Sequence, residues 1–268
     1  MTRREMLLAV LGAAVAACGP AAPAPSSPPA PTPPLAVRGA VVPRAGAKLR
    51  VVCVAAHPDD AESGCGGTLA RYAEAGHDVH VLYVTRGEAG IEGKSPAEAG
   101  AIREAEAREA CKALGATPHF MGHPVGALVF SPETAKEMGA FFDSVGADVV
   151  FTQWPVDVNY DHEVAGMLAL NAWLAKARAY PLYFYEVESG TQTLGFAPTA
   201  YVEIGPVLEK KLAAIRAHKS QDAERRLYER HHEPMERFRA REIGGTAAEA
   251  FVVLAPDAKM APLPGLGP

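Results

Sequence analysis

The sequence predicts a layered α/β fold with a mostly parallel sheet, helices on both faces and a small C-terminal cap. Strand-like and helix-like segments alternate from residue 48 to residue 178, which is typical of a parallel sheet with helical crossovers. The first strand, at 48–56, is a continuous apolar run, as expected when both of its faces are buried. The loops at 57–62, 86–92 and 154–162 carry many of the polar side chains that could bind metal or transfer protons, and each loop follows a strand.

The remaining elements follow the same alternation. After the first strand and a glycine-rich stretch, helices are predicted at 68–75, 96–114, 133–145 and 163–178, and strands at 78–85, 119–121 and 148–153. Gly76 and Gly115 follow the first two helices, a common way for a helix to end. Right-handed crossovers would bring the carboxyl ends of the strands to one edge, as in Rossmann-like folds, so the three polar loops should share one site.

The pattern changes after residue 180. Strands are predicted at 182–188, 200–204 and 251–254, and one helix at 206–229. Because the first two of these strands have no long helix between them, we expect this portion to cap the site from one side.

The first 18 residues resemble a bacterial lipoprotein signal. Arg3 and Arg4 precede an apolar run at 6–17 that is too short to span a bilayer, and the run ends at Cys18 in a sequence that resembles a lipobox. We therefore predict an exported protein of the cell envelope, lipid-anchored through Cys18 to the periplasmic or surface side of a bacterial membrane. The alternative is an ordinary signal peptide that contains a cysteine. The arginine pair also fits a twin-arginine signal, and the general secretory route stays open.

A proline- and alanine-rich linker is predicted at 19–47. Eight prolines in 20–34 disfavour helices and central strands and favour an extended tether. This leaves 48–255 as a single domain and 256–268 as a flexible tail.

Composition excludes an electrostatic partnership with nucleic acid. The chain of 268 residues carries a net charge of −5, with 49% hydrophobic and 21% charged residues, an ordinary globular balance. Two local basic pairs, Lys210-Lys211 and Arg225-Arg226, are interpreted as solvated faces of a helix.

The segment after the first strand has the residue types of a metal site. His57, Asp59 and Asp60 fall within four positions, and imidazole nitrogen and carboxylate oxygen are ligands that zinc accepts. His57 and Asp60 can converge on one ion across a turn that Pro58 stiffens. Asp59 would then lie beside the metal, free to act as a base. Most isolated patterns of this kind are surface turns, and the preceding buried strand favours function here.

A second polar loop follows the strand at 148–153 and carries Asp157, Asp161 and His162. Two histidines and one aspartate from the two loops would supply three protein ligands. A fourth position would stay open for water or substrate, which is typical of catalytic zinc sites. Asp161 is also placed to orient a ring or a neighbouring group. Alternatively, it caps the following helix.

These motifs resemble the PIG-L/LmbE-like family of zinc-dependent N-acetylglucosaminyl deacetylases. The matching segments run in family order: AHPDDAESGCGGT at 56–68, TRGEAG at 85–90, the helix at 103–115, the pair at 161–162, HKSQ at 218–221 and AEAF at 248–251. The resemblance covers residues 50–252, and its first motif is the most specific.

The resemblance implies that His57, Asp60 and His162 bind Zn²⁺, that Asp59 is the general base and that a metal-bound water is the nucleophile. Asp161 matches a residue that orients a neighbouring catalytic histidine. In much of the family that histidine lies three residues before the last ligand, where this chain has Asn159. Asparagine cannot carry a positive charge, although it can donate a hydrogen bond to an oxyanion. His218 or His123 is a candidate replacement.

Other polar residues receive weaker predictions. Arg86 matches a loop that holds the sugar or an anionic aglycone in relatives, and Glu62 is a second candidate for substrate binding. The alternative for Arg86 is a surface position on a loop. Arg103 and Arg108 are expected to pair with glutamates of their own helix. Trp154 is a candidate either for stacking on a sugar or for core packing.

The predicted function is removal of an N-acetyl group from an N-acetylglucosamine-type sugar conjugate. The competing hypothesis is a surface-anchored glycan-binding protein with a weakened or vestigial site, which the asparagine at position 159 favours. A phosphoesterase is less consistent with the few ligands present. The resemblance also implies that the chain can form a homo-oligomer.

Overall fold

A seven-stranded sheet forms the centre of the computed structural model, which describes residues 47–177, 179–254 and 265–266. The strands are β1 (Arg50–Ala55), β2 (Asp78–Thr85), β3 (Thr117–His123), β4 (Val149–Gln153), β5 (Leu182–Tyr185), β6 (Ala200–Glu203) and β7 (Ala248–Leu254). The α-helices are α1 (Asp60–Glu74), α2 (Pro96–Leu114), α3 (Pro132–Val145), α4 (Tyr160–Ala175), α5 (Leu208–Ala217) and α6 (Glu233–Ala240).

The strand order places a switch point at β1. The order is β3-β2-β1-β4-β5-β7-β6, and the first five strands are parallel. From β1 the chain first builds towards β3 and then returns to add β4 on the other side. Open α/β sheets bind ligands outside the carboxyl ends of the strands at such a point. The predicted α/β class and its mostly parallel sheet are confirmed.

Alternating side chains of β1 feed two hydrophobic cores. Val51, Cys53 and Ala55 belong to one core, and Val52 and Val54 belong to the other. The first core packs against α1, α2 and α5, and the second packs against α3 and α4. The apolar run at 48–56 is thus explained by burial on both faces. Helices cover both faces, as the sequence predicted.

The first helix begins eight residues earlier than predicted. The glycine-rich stretch that was expected to precede it lies inside α1, where a Cβ atom at Gly67 would come within 2.6 Å of Ile204. Glycine here serves close packing between α1 and the segment after β6, which sequence periodicity does not reveal.

The C-terminal portion differs most from the prediction. The single helix expected at 206–229 consists of a 3₁₀ turn at Gly205–Val207, α5, a second 3₁₀ turn at Lys219–Gln221 and a π-helical segment at Glu224–His232. The sequence prediction missed α6. Strands β6 and β7 extend the sheet through antiparallel pairing with β5. The second 3₁₀ turn and the π-helical segment reach the site, through Gln221 and Leu227.

Several predictions concern residues outside the described ranges. The signal at 1–18 and nearly all of the linker at 19–47 lie there, as does most of the tail at 256–268. Within the tail, Gly265 and Leu266 are described, and Leu266 packs against the first core. No helix among the described residues is long and apolar enough to cross a membrane.

A buried ion cluster joins the C-terminal portion to α1. The Lys211 ammonium is fully buried and donates to the Ser63 carbonyl oxygen and to Glu249 Oε1, each at 2.6 Å. It also lies 2.5 Å from Glu236 Oε1. The Glu249 carboxylate accepts hydrogen bonds from the amides of Gly67 and Thr68. The interpretation of Lys211 as part of a solvated face is therefore wrong, because two carboxylates draw it into the interior.

Replacing this lysine should destabilise the fold. Lys211→Met leaves the Glu236 and Glu249 carboxylates buried without their cation, so we expect a loss of about 3–5 kcal/mol in the free energy of unfolding. Lys210→Met is the matched control, because Lys210 pairs with Glu74 at the surface and its loss should cost about 1 kcal/mol or less. Urea denaturation of both variants measures the difference. Equal stability would contradict the cluster's structural role.

Candidate active site

Three side chains that the sequence assigned as metal ligands meet at the carboxyl ends of β1 and β4. Ligand atoms of His57, Asp60 and His162 all lie within 4.8 Å of one another. Asp60 is central: its Oδ2 is 3.3 Å from His57 Nδ1, and its Oδ1 is 3.3 Å from His162 Nε2. Two imidazole nitrogens and a carboxylate oxygen at this spacing can hold one divalent ion.

The local fold explains how these residues meet. His57 follows β1, and Asp60 is the first residue of α1, so the turn between strand and helix carries both. The His57 amide donates to Asp60 Oδ2 at 2.7 Å, which closes the turn. His162 lies in the first turn of α4, after β4. Because β1 and β4 are paired neighbours, the two loops open onto the same edge.

Each histidine is held from behind by a further carboxylate. The second ring nitrogen of His57, Nε2, lies 3.0 Å from Asp161 Oδ2, and this oxygen also accepts from the Gly126 amide at 2.8 Å. His162 Nδ1 lies 3.3 Å from Asp157 Oδ1. Such contacts fix the ring orientation of metal-binding histidines and make them more basic. Asp161 was predicted to orient a histidine, and the histidine beside it is His57. Asp157 had no predicted role.

The charges of the cluster favour positive groups at its centre. Burial lowers the pKa of His57, but hydrogen bonds to Asp161 and Asp60 outweigh it and raise the pKa to about 9. Burial likewise opposes protonation of His162, and the charges of Asp60 and Asp157 raise its pKa to about 10. Although burial alone would raise the pKa of Asp60, the two histidines hold it well below its usual range. The cluster therefore stabilises positive charge in a buried place, as a cation site must.

Asp59 has an unusual backbone conformation beside the cluster. Its φ is 107°, in the left-handed region that few residues other than glycine adopt, and it directly precedes α1 without a side-chain capping hydrogen bond. Arg103 Nη2 donates to Asp59 Oδ2 at 2.8 Å and to the carbonyl oxygen of Pro58. Burial raises the pKa of Asp59, and the charge of Arg103 partly opposes this. Arg103 thus holds both the backbone and the carboxylate of the turn.

The role of Arg103 corrects the sequence analysis, which paired it with glutamates of its own helix. Arg108 does pair with Glu104, at 2.6 Å, but Arg103 is buried and points to the site. Gly87 makes room for it, because a Cβ atom there would lie 2.5 Å from Arg103 Nη1 and its φ is +66°. The glycines of 85–90 were a usable signal, since they imply a close neighbour.

Asn159 caps helix α4. Its Oδ1 accepts a hydrogen bond from the Asp161 amide at 3.0 Å, and its own amide donates to Asp157 Oδ1 at 2.8 Å. Asn159 also lines the cavity. With the carboxamide oxygen used by the cap, the side-chain NH₂ is the group that can donate to a ligand.

The structure does not bring the two predicted substrate-binding residues to the cavity. Arg86 pairs with Glu104 at 2.7 Å and is partly exposed to solvent. Glu62 is fully buried, accepts a hydrogen bond from the Tyr83 hydroxyl and lies 3.5 Å from His218 Nε2. Neither is among the cavity-lining residues, because a glutamate partner holds the first and the interior encloses the second.

The candidate replacements for the missing histidine do not line the cavity, although the charge of His218 helps to lower the pKa of Asp59. His218 is fully buried beside Glu62, and His123 pairs with Glu137 at 2.9 Å. Trp154 packs edge-on against Phe184 and Phe196, so it belongs to the packing. None of these three lines the cavity.

The cluster lies in an open cavity of about 280 Å³. Besides the ligands, Asp59, Arg103 and Asn159, it is lined by Ser63, Ala89, Gly90, Val125, Val187, Gln192, Gln221 and Leu227. Gln192 Oε1 is buried there with no hydrogen-bond partner in the described part of the chain, which leaves an acceptor for a ligand.

A protein-family model matches the part of the chain that carries the site. Residues 52–173 match the PIG-L family, described as GlcNAc-PI de-N-acetylase. This range contains the three candidate ligands, Asp59 and Arg103.

Curated relatives include sugar deacetylases. The diacetylchitobiose deacetylase of Thermococcus kodakarensis is 29% identical over 186 residues, covering 64% of this chain and 70% of the relative. The 1D-myo-inositol 2-acetamido-2-deoxy-alpha-D-glucopyranoside deacetylase of Actinosynnema mirum is 42% identical over 131 residues, covering 38% of this chain. The chain spans about half of that relative, 46%. One relative is named for a different reaction. The 4-oxalmesaconate hydratase of Pseudomonas putida is 28% identical over 188 residues, covering 63% of this chain and 72% of the relative.

Solved structures show the same fold. The conserved protein TT1542 of Thermus thermophilus superposes with a TM-score of 0.69 at 30% identity, covering 79% of this chain and 97% of that protein.

The carboxylates behind the histidines should control metal affinity. Asp157→Asn and Asp161→Asn each replace a charged acceptor, and we expect each to weaken metal binding by about 10- to 100-fold. Competition against a chromogenic zinc chelator measures this. Asp143→Asn is the control, because Asp143 pairs with Lys176 at the surface, and this variant should bind zinc with the affinity of the unmodified protein. Unchanged affinity in both site variants would show that these carboxylates do not support the ligands.

Proposed function

We propose that this chain, whose residues 52–173 match the PIG-L family, is a zinc-dependent hydrolase that removes the N-acetyl group from an N-acetylglucosamine-type sugar conjugate. The observation that carries the proposal is the cluster of His57, Asp60 and His162 with the Asp59 carboxylate beside it in one cavity. The named activities of the sugar-deacetylase relatives support the reaction and the substrate class.

The donor set supports zinc as the metal. His57, Asp60 and His162 supply two nitrogens and one oxygen, and three protein ligands leave a position for water or substrate. Bound zinc supplies Lewis acidity, which makes water a better nucleophile near neutral pH and polarises the amide carbonyl.

Asp59 is the group that moves the proton. Its carboxylate takes a proton from the attacking water, and the same proton passes to the nitrogen when the amide C–N bond breaks. The products are acetate and a free amine. Arg103 keeps the carboxylate at one place through the hydrogen bond to Oδ2, and the raised pKa of Asp59 is consistent with both accepting and returning a proton.

Asn159 takes the place of a charged helper. Its NH₂ group can donate to the carbonyl oxygen as negative charge develops there, but with less stabilisation than a cation gives. The helix cap keeps the carboxamide in one orientation, so the donor is preorganised.

A vestigial glycan-binding protein is the competing function. The substitution at position 159 favours it, and the retention of three ligands, Asp59 and Arg103 in one cavity favours the enzyme. The hydratase relative shows that related chains include other reactions, so a direct assay of acetate release is needed.

We also propose export and lipid anchoring at Cys18, which rests on the sequence of residues 1–18 alone. The N-acetylated sugar would then belong to the cell envelope, to glycolipids or to scavenged amino sugars.

Metal removal tests the proposed function. The protein, stripped by chelation and verified as metal-free, should release no acetate from N-acetylglucosamine conjugates, and stoichiometric zinc should restore the release. Asp59→Asn should still bind zinc but lose about 10²–10⁴-fold in turnover. Undiminished hydrolysis in the metal-free protein, or no hydrolysis in the reconstituted protein, would refute the proposal.

The role of Asn159 is tested by a substitution that keeps its helix-capping oxygen but removes its NH₂ donor. Asn159→Asp keeps a capping oxygen but replaces the NH₂ donor by a carboxylate, so we expect unchanged thermal stability and about 10²–10³-fold slower turnover. Asn159→Ala serves as the comparison that loses both functions. Full turnover in the aspartate variant would assign Asn159 to the helix cap alone.

A further inference from the structure

Three loops that each contribute to the cavity lining are connected by hydrogen bonds, and together we call them the apolar rim: residues 124–131, 154–160 and 189–199. Each loop contributes a cavity-lining residue, namely Val125, Asn159 and Gln192. The second and third loops are hydrogen-bonded to each other, with the Val158 amide donating to the Gln192 carbonyl and the Leu194 amide to the Val156 carbonyl. The first loop is joined to the start of α4 through Gly126 and Asp161.

Exposed hydrophobic side chains concentrate on the apolar rim. Among the described residues, eleven large hydrophobic side chains are exposed, and six of them lie on these loops. The six are Val129, Phe130, Val156, Val158, Tyr160 and Leu194, and Val158 is 63% exposed. Single exposed hydrophobic residues are ordinary, but a group of six beside a cavity marks a binding surface.

The apolar rim also lacks exposed charge. Its 26 residues include one charged residue, Asp157, whereas 21% of the whole chain is charged. Asp157 is buried, and its carboxylate is used by His162, Asn159 and Thr193. The water-facing side chains of the apolar rim are therefore uncharged.

Two other segments that line the cavity have the reverse character. They are 86–95 and 219–232, which contribute Ala89, Gly90, Gln221 and Leu227 to the lining. The first of them is joined to the apolar rim, because the Val125 amide donates to Glu88 Oε1 at 2.7 Å. Both segments are rich in charged residues, and several of these, such as Glu92 and Arg225, are exposed. The cavity is therefore lined both by loops without exposed charge and by segments rich in charged residues.

We propose that the apolar rim binds a hydrophobic aglycone, such as an alkyl chain, attached to the N-acetylamino sugar that occupies the cavity. The proposal rests on the proposed function, because it places the reacting sugar at the metal cluster. The occupant follows from continuity: cavity and apolar rim share the loops that carry Val125, Asn159 and Gln192, so one molecule can contact both.

The test compares two substrates in the zinc-loaded full chain. Octyl and methyl glycosides of N-acetylglucosamine differ only in the aglycone, and both are used below the concentration at which micelles form. Burying several methylenes on the apolar rim should raise kcat/KM for the octyl glycoside about tenfold over the methyl glycoside.

Two substitutions locate the effect. Val158→Ser and Leu194→Ser should each reduce the octyl-to-methyl ratio of kcat/KM, and together they should bring it close to one. Leu174→Ser is the matched control, because Leu174 is similarly exposed but lies at the other end of α4, and it should keep the full ratio. Thermal melting confirms that all variants are folded.

The outcomes distinguish the two proposals. Hydrolysis of both glycosides at equal kcat/KM would overturn the apolar rim as an aglycone site and leave the proposed function standing. No hydrolysis of either glycoside would refute the proposed function itself. An octyl preference that survives the double substitution would place the aglycone elsewhere and also overturn the inference.

Two further results would assign the apolar rim to another occupant. Conversion of an assembly to monomers by the same substitutions, seen by light scattering, would make it an interface between copies. Loss of binding to phosphatidylcholine vesicles in these variants, without any octyl preference in the unmodified protein, would make it a lipid-docking surface. Either result overturns the aglycone assignment.

Discussion

The carboxylate of Asp60 between two imidazoles is the interaction on which the site depends. Its Oδ2 accepts a hydrogen bond from the His57 amide at 2.7 Å, and each of its two oxygens lies 3.3 Å from a ring nitrogen of one histidine. Asp60 is also the first residue of α1. His162 is about a hundred residues away in sequence and reaches this place only because β4 pairs with β1. The switch point of the sheet and the position of the first helix therefore decide whether a metal site exists.

The parts of the site that follow strands were predictable, because a strand end fixes where the next residues lie. His57, Asp59, Asp60 and His162 were found in this way. Arg103 and Lys211 were not, since each lies in a helix whose charged composition is typical of a solvated surface. Their burial depends on carboxylates far along the chain, Asp59 for the first and Glu236 and Glu249 for the second. The first turns of α1 were not predicted because glycine disfavours helices. Here Gly67 allows α1 to pack closely against Ile204.

Asp59 also depends on a residue that is distant in sequence, Arg103. Asp59 keeps a left-handed backbone conformation that costs free energy, and the hydrogen bonds from Arg103 to Pro58 and Asp59 offset that cost. Gly87 in turn leaves space for the guanidinium. The motif at 85–90, which was predicted to contact the substrate, thus supports Asp59, the proposed base, through Arg103. The loop at 154–160 belongs to the apolar rim and also carries Asn159 and Asp157, so the proposed reaction and the proposed recognition share part of their support.

The most direct test of this account is the position of the bound metal. Crystals of the protein grown with one equivalent of zinc, measured on both sides of the zinc absorption edge, locate the ion by its anomalous scattering. The account predicts one strong peak within coordination distance of His57, Asp60 and His162, with the Asp59 carboxylate beside it. A peak bound by other residues, or none at this cluster, would contradict it.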